Sequence, residues 1–517
     1  MKGAFAEIPY GSGRKGLGLC RTGIGLSPVL AGGALPCWEL RYFLAIAACQ
    51  LRVFGEIPRA RNILLFIRGR DGMRFTGTMR VNEKGHLEIG GVDTVDLARE
   101  FGTPLYILDE EEFRKNCREY YQNFTQKHPG SLAIYAGKTL LTTAICRLVE
   151  EEGLGLDVVS GGELYTAIKA DFPLHKVYFH GNNKSPEEIR LGVEAGVGRF
   201  VVDNLYELYL LNDIAKSYKV RQPILLRVSP GIEAHTHEYI KTGQIDSKFG
   251  FPIETGQAMD AAQRALELDG IELKGFHCHI GSQIFELESF AHTVEVMTAF
   301  MAEVFKATGF MTEELDLGGG LGIYYAEGDN PPTVAAMAET IFTTLESQCQ
   351  KLGLKVPKVI VEPGRSIAGP AGSTLYTIGA IKDIPGIRTY VAVDGGMGDN
   401  PRPALYQAKY EAIVANKAND QPVKLVSIAG KCCESGDMLI WDIELAEIKP
   451  GDLLLVSNTG AYNYSMAMNY NRLPRPAMVL VGGGKAELIV RRETYDDLLS
   501  HDLIPAHLKT RKVVTMY

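Results

Sequence analysis

Eight short apolar runs, separated in most cases by helix-like segments, constrain this chain more than any other feature. The runs are LAIYA (132–136), GLDVV (155–159), KVYFH (176–180), RFVVD (199–203), PILLRV (223–228), LKGFHCHI (273–280), ELDLGGG (314–320) and KVIVEP (358–363). Stretches such as SPEEIRLGVEAGV and FAHTVEVMTAFMAEVF between them carry helical periodicity. Eight strand–helix units in succession imply a (β/α)8 TIM barrel. A doubly wound open sheet alternates in the same way and is the competing fold. The reactive residues favour the barrel. Lys138 follows the first run, His279 ends the sixth, Gly318–Gly320 ends the seventh and Glu362-Pro-Gly-Arg365 ends the eighth. A barrel gathers the C-terminal ends of its strands around one mouth.

Beyond Arg365 the rhythm changes. TLYTIGAI, RTYVAV, VKLVSIAG, DLLLVSN and AELIVRRE read as strands without long helices between them. HLEIGG and PLYIL read as strands ahead of the barrel. The expected organisation is an N-terminal extension (1–74), N-terminal strands that join the β domain (75–109), the barrel (110–368), and a C-terminal all-β domain, sandwich- or barrel-like (369–517).

Residues 1–74 differ from the rest. They hold eleven Lys/Arg against four Asp/Glu, a balance of +7, so with the whole chain at −8 the remainder carries −15. Their longest apolar run, Tyr42 to Cys49, is far below the ~20 residues needed to span a bilayer. An Arg-rich transit segment is one reading. The preferred one is a start codon assigned too early, with the native protein beginning at or near Met73; no function is assigned to this segment. The net charge gives no reason to expect a nucleic-acid or membrane partner. Nine cysteines in 517 residues, with no C-x-x-C pair, exclude a disulfide framework and fit a reducing, cytoplasmic setting.

Four features carry chemistry. Lys138, in YAGKTL, can form a Schiff base with a carbonyl if desolvation removes its proton. The loop Gly318-Gly319-Gly320 lets backbone N–H groups approach a phosphate. Arg365 can bind phosphate or carboxylate with two parallel hydrogen bonds, and Glu362 can keep a ring nitrogen protonated. His277 and His279 share one face of a strand, and one ring could stack on a flat cofactor. Taken singly, these are a surface lysine, a tight turn, an ion pair with a nearby arginine and a core histidine. Taken together they describe a site for pyridoxal 5′-phosphate. No metal is expected, because no third ligand lies at zinc spacing from the histidines.

The segments YAGKTL, GLDVVSGGEL, FHGNNKS, FHCHIGSQI, LDLGGGLGIYY, VEPGRSIAG, DGGMGDNPRPALY, CCESGD and TGAYNYSM occur in order from about Gly77 onward. In these the chain resembles the barrel-type, fold type III pyridoxal-phosphate decarboxylases, and within them the diaminopimelate decarboxylase family. It departs from the pattern after the lysine, where A-x-K-A-N reads AGKTL. The resemblance implies decarboxylation of meso-2,6-diaminopimelate to L-lysine and CO2, the last step of lysine biosynthesis. It implies Lys138 bonded to the cofactor aldehyde, His279 stacked on the ring, and Glu362 at its nitrogen. Gly318, Gly319, Gly320, Ser282 and the loop of Gly364 and Arg365 would surround the phosphate. Arg365, Arg402, Tyr406 and Glu434 would hold the substrate, with Tyr462 near cofactor and substrate. A homodimer would share active sites across its interface through the CESGD loop.

The same fold serves decarboxylases of ornithine, lysine or arginine, whose substrates lack a distal carboxylate for Arg402 to bind. Alanine racemase resembles the fold but pairs the ring nitrogen with an arginine. A non-catalytic cofactor-binding protein is a further alternative. In KCCESGDM the family pattern selects Cys433 as the acid that returns a proton to the substrate carbon. If the segment is extended, Cys432 points the other way and is structural.

Overall fold

A computed structural model describes residues 73–232 and 247–509. The expected N-terminal extension, apart from Met73 and Arg74, lies outside the described residues. All eight runs form strands, and they close on themselves. Leu132–Ala136, Gly155–Val158, Val177–Phe179, Arg199–Val202, Gln222–Ser229, Ile271–His277, Glu314–Asp316 and Lys358–Val361 pair in parallel in chain order. Ile360 and Val361 of the eighth strand pair with Leu132 and Ala133 of the first, which completes a barrel and excludes the open sheet. Ile134, Tyr178, Val201, Leu225 and Ile360 form a separate buried cluster, as expected for alternate residues filling the inside of the barrel. Their neighbours Tyr135, Phe179, Phe200 and Leu226 belong to the main core that packs against the helices.

Local signals set the helices. In SPEEIRLGVEAGV the helix is Pro186–Ala195. Ser185 accepts the Glu188 N–H while the Glu188 carboxylate accepts the Ser185 N–H, and Pro186 pre-sets the first turn. Gly196, at φ +72°, ends it in the left-handed conformation. The loop after the third strand is joined to the first turn of helix Leu205–Ser217, after the fourth, by a buried ion pair, Lys184 Nζ to Glu207 Oε1 at 2.7 Å.

The second domain is a nine-stranded sheet built on Gly372–Ile384. Leu105–Asp109 (PLYIL) inserts between Gly372–Ile384 and Ala477–Gly482, antiparallel to the first and parallel to the second. HLEIGG instead forms a small sheet of its own with Arg80–Val81 and Val92–Asp93. That sheet packs on the domain through Leu87 and Ile89, in one core with Leu105, Leu375 and Val479. Three strands of the nine-stranded sheet were not anticipated from sequence: Ala412–Val414, Met438–Leu445 and Ala477–Gly482. Among the described residues no helix is long and apolar enough to cross a membrane.

Candidate active site

The first barrel strand ends in a single tight turn, Gly137–Thr139, that carries Lys138. The β domain grips this turn. The Thr139 carbonyl accepts the Tyr462 N–H at 2.9 Å and the Ser465 hydroxyl at 3.0 Å. The eighth strand crowds it from the other side: a Cβ on Gly364 would stand 2.1 Å from Thr139 Oγ1. The sequence makes loss of the Lys138 proton conditional on desolvation. Burial does act in that direction, but Asp157, Tyr462 and Glu362 outweigh it and hold the ammonium above its ordinary pKa. The acids around the lysine therefore keep its proton in place despite desolvation.

Glu362 follows the eighth strand and is buried. Among the described residues its ion-pairing neighbours are two imidazoles and no arginine: His180 Nε2 lies 2.9 Å and His277 Nε2 3.3 Å from its Oε1. Burial works to raise the Glu362 carboxyl, yet these imidazoles hold it well below the carboxylate range. Asp316 goes the other way, pushed up by burial and by Glu362. Burial lowers His277 to about 3, against the opposing pull of Glu362. Among the described residues Glu362 Oε1, His180 Nε2 and both His277 nitrogens are buried and find no partner with hydrogen-bond geometry. Unmet buried polar atoms at the floor of a mouth are what a ligand's ring N–H would satisfy. His180, His277, Asp316 and Glu362 also bring ligand-capable atoms within 4.8 Å of one another, from four different strand ends. Zinc spacing along the chain could not reveal such a set.

The glycine loop lies against this floor. A Cβ on Gly319 would stand 2.1 Å from the Glu362 carbonyl, and one on Gly318 would stand 2.7 Å from His279 Nδ1. The Gly319 N–H reaches His279 Nδ1 at 3.3 Å. Gly320, at φ +121°, would collide with the Gly281 carbonyl. Only glycine lets this backbone pack so closely on Glu362, His279 and Gly281. Arg365 donates from Nε and Nη2 to Ser282 Oγ, at 3.1 and 3.0 Å. Its guanidinium lies 5.0 Å from the Tyr462 ring centre, and that of Arg402 lies 5.6 Å from Tyr462 and 6.0 Å from Tyr406. Both arginines are buried. Lys138, His279, Ser282, Gly318–Gly320, Glu362, Gly364 and Arg365 follow or end barrel strands, and the contacts above join them to Arg402, Tyr406 and Tyr462 of the β domain.

Cys433 and Glu434 are not brought to it. The KCCESGD loop bends and is not extended, so the argument from strand alternation does not apply. Cys432 is half-buried, and burial with Asp437 beside it pushes its thiol up to about 11. Cys433 and Glu434 are exposed. Among the described residues no hydrogen bond or ion pair joins either to Lys138, Glu362 or Arg402. The loop is ordered by Asp437, which accepts the Cys432 N–H at 2.7 Å and the Met397 N–H at 2.6 Å, and by Asn471, which accepts the Cys433 N–H. A cleft of about 1300 Å³ opens beside the Arg402 helix, bordered by Tyr324, Pro403, Gln407, Tyr410 and Trp441.

Sequence reasoning overlooked Asp157, His180, Asp316 and Tyr325. The signal was available for three of them. His180 closes its run, the same rule that singled out His279 and Glu362, while Asp157 and Asp316 are acids set inside the apolar runs GLDVV and ELDLGGG. Tyr325 follows the glycine loop in LGIYY, where nothing in the spacing marks it.

The family model "Pyridoxal-dependent decarboxylase, pyridoxal binding domain" matches residues 111–369. Over 427 residues the chain is 52% identical to diaminopimelate decarboxylase of Bacillus subtilis, covering 83% of this chain and 97% of that protein. It is 45% identical over 440 residues to the Synechocystis enzyme of the same name, covering 83% and 93%. The crystal structure of diaminopimelate decarboxylase from M. jannaschii in complex with L-lysine superposes with a TM-score of 0.79 at 38% identity, covering 84% of this chain and 99% of that one. On a closed barrel with this cluster at its mouth, and with such identity over nearly the whole of these relatives, the chain belongs to the pyridoxal-dependent decarboxylases and, within them, to the diaminopimelate decarboxylase family.

Proposed function

We propose that this protein decarboxylates meso-2,6-diaminopimelate to L-lysine and CO2 with pyridoxal 5′-phosphate. One observation carries the reading: a lysine, a buried glutamate with unmet polar atoms and a tightly packed glycine loop meet at the ends of barrel strands, and two buried arginines lie beside them. When bound, the cofactor supplies the electron sink for the pair left behind as CO2 departs. Lys138 is the residue to bond its aldehyde. Glu362, held as a carboxylate between His180 and His277, is fitted to accept a ring N–H and keep that nitrogen protonated. The donor set of His180, His277, Asp316 and Glu362 is accordingly read as the ring-nitrogen site. His279 is the ring to stack on the cofactor face. The Gly318–Gly320 backbone, Ser282 and the Gly364–Arg365 turn suit the phosphate.

Arg365, Arg402, Tyr406 and Tyr462 are proposed to hold the substrate, with Glu434 meeting its distal ammonium. A substrate with an amino-acid group at each end needs opposite charges at its far end to choose which end reacts. Cys433 is proposed as the acid that protonates the substrate carbon. Its exposure on a bent loop fits a homodimer in which this loop enters the partner's site. Decarboxylases of basic amino acids have no use for a buried arginine at the distal end, which disfavours that alternative. The scarcity of cysteines supports a cytoplasmic setting. Lys138→Ala tests the cofactor assignment: the visible absorbance of lysine-bound cofactor and CO2 release should both vanish, and persistence of both would overturn it.

A further inference from the structure

Tyr325 holds together two arginines that come from different domains. Its hydroxyl oxygen accepts Arg365 Nη1 at 2.7 Å and Arg402 Nη1 at 3.0 Å. Arg365 begins the helix after the eighth barrel strand, and Arg402 begins the short helix Arg402–Tyr406 of the β domain. Both guanidiniums are more than nine-tenths buried, at 6% and 7% exposure. Among the described residues neither has a carboxylate within 4 Å, and Arg402 Nε is buried with no hydrogen-bond partner. Arg402 Nη1 also reaches the Ala461 carbonyl at 3.5 Å and Arg365 the Ser282 hydroxyl, but these neutral partners leave two buried cations without a counter-charge, and an orphaned N–H points to an anion.

The phenol is fixed from all sides. Gln283 clamps Ile323 at both backbone groups, donating to its carbonyl at 2.7 Å and accepting its N–H at 3.1 Å. Asp329 accepts the N–H groups of Tyr325 and Ala326 at 2.9 and 3.2 Å. The buried ring meets Tyr410 edge-on at 5.4 Å. The oxygen therefore sets the guanidiniums and is not free to follow them. Burial would raise this phenol, but Arg365 and Arg402 bring it below its ordinary value, as in a site tuned for negative charge.

We propose that Tyr325 is a positioning residue that sets Arg365 and Arg402 as one two-pronged clamp for the carboxylate at the far end of the substrate. The inference rests on the decarboxylase reading above. The clamp acts away from the bond that breaks and grips ground state and transition state alike, so its loss should appear in KM more than in kcat.

The test is Tyr325→Phe, which keeps the ring and removes the shared oxygen. With holoenzyme, KM for meso-diaminopimelate should rise about tenfold, in line with loss of hydrogen bonds to charged groups, while kcat falls by less than about threefold. Inhibition constants separate the clamp from general damage. L-lysine carries a carboxylate and should weaken about tenfold, whereas 1,5-diaminopentane, which has none, should be unmoved. Equal weakening of both, or of neither, overturns the proposal. So does a rise in the dissociation constant of pyridoxal phosphate with the inhibitor ratio unchanged, since the arginines would then serve the phosphate. Wild-type protein that releases no CO2 from meso-diaminopimelate would overturn the decarboxylase reading instead, and the inhibitor ratio would still decide the clamp.

Discussion

Tyr462 donates its backbone N–H to the carbonyl of Thr139, one residue beyond Lys138. A loop of the β domain thereby fixes the turn on which the barrel lysine sits. The barrel does not hold its own lysine unaided, and the two domains make one site.

The tightness of that turn gives a first prediction. Gly364→Ala would drive a Cβ to 2.1 Å from Thr139 Oγ1, with Ala136 on its far side at 3.0 Å. The Lys138 turn must shift, and displacements near 1 Å at a reacting group cost about 100-fold. Turnover should fall by about that factor while the far-UV spectrum stays native. Unchanged turnover would mean the turn tolerates movement.

Lys184 and Glu207 predict a stability effect. Their side chains are 1% and 2% exposed, and Lys184 Nζ also donates to the carbonyls of Gly181 and Val201. Lys184→Met leaves a buried carboxylate unpaired, at a cost of about 3–5 kcal/mol. Adding Glu207→Leu should restore part of the loss. Urea unfolding of the single and double variants measures both.

Much of this architecture was legible in the sequence because the barrel strands are buried on both faces and read as compact apolar runs. The same simplicity marked the residues that end those runs. What escaped detection depends on contacts distant in sequence. Tyr325 has meaning only through Arg365 and Arg402, 40 and 77 residues away. The acids that keep Lys138 charged lie on other strands. Whether the CCESGD loop is extended depends on Asp437, which accepts hydrogen bonds within the loop and from Met397 and goes with a bend. The strands Ala412–Val414 and Ala477–Gly482 are short or start beside prolines and carry little alternation.

His277 predicts a pH dependence. Its folded pKa of about 3 lies below the ordinary 6.5, so the folded state binds fewer protons between those values. Stability from this group is complete above pH 6.5 and is lost as pH falls towards 3, at up to about 1.4 kcal/mol per pH unit. In cofactor-free protein His277→Gln should show a shallower loss of stability from pH 6 to pH 4. An unchanged slope would assign the acid sensitivity elsewhere.

The two adjacent cysteines should behave differently. Cys433→Ala should lower kcat by about 100-fold or more, the usual worth of a general acid, and Cys432→Ala by only a few-fold. If the loop serves the partner's site, mixing inactive Lys138→Ala and Cys433→Ala subunits should recover activity, because a mixed dimer holds one intact site. Random pairing gives about a quarter of the wild-type rate. No recovery on mixing would confine each site to one chain.

The central claim is a lysine-bearing barrel site that selects a substrate with a charged amino-acid group at its far end. CO2 release from meso-diaminopimelate, measured beside L-lysine, L-ornithine and L-arginine on the holoenzyme, tests it most directly. The account predicts rapid release from meso-diaminopimelate and release at least about 100-fold slower from the other three, the discrimination expected when buried polar groups are left unpaired. Release from any of the basic amino acids with none from meso-diaminopimelate would contradict it.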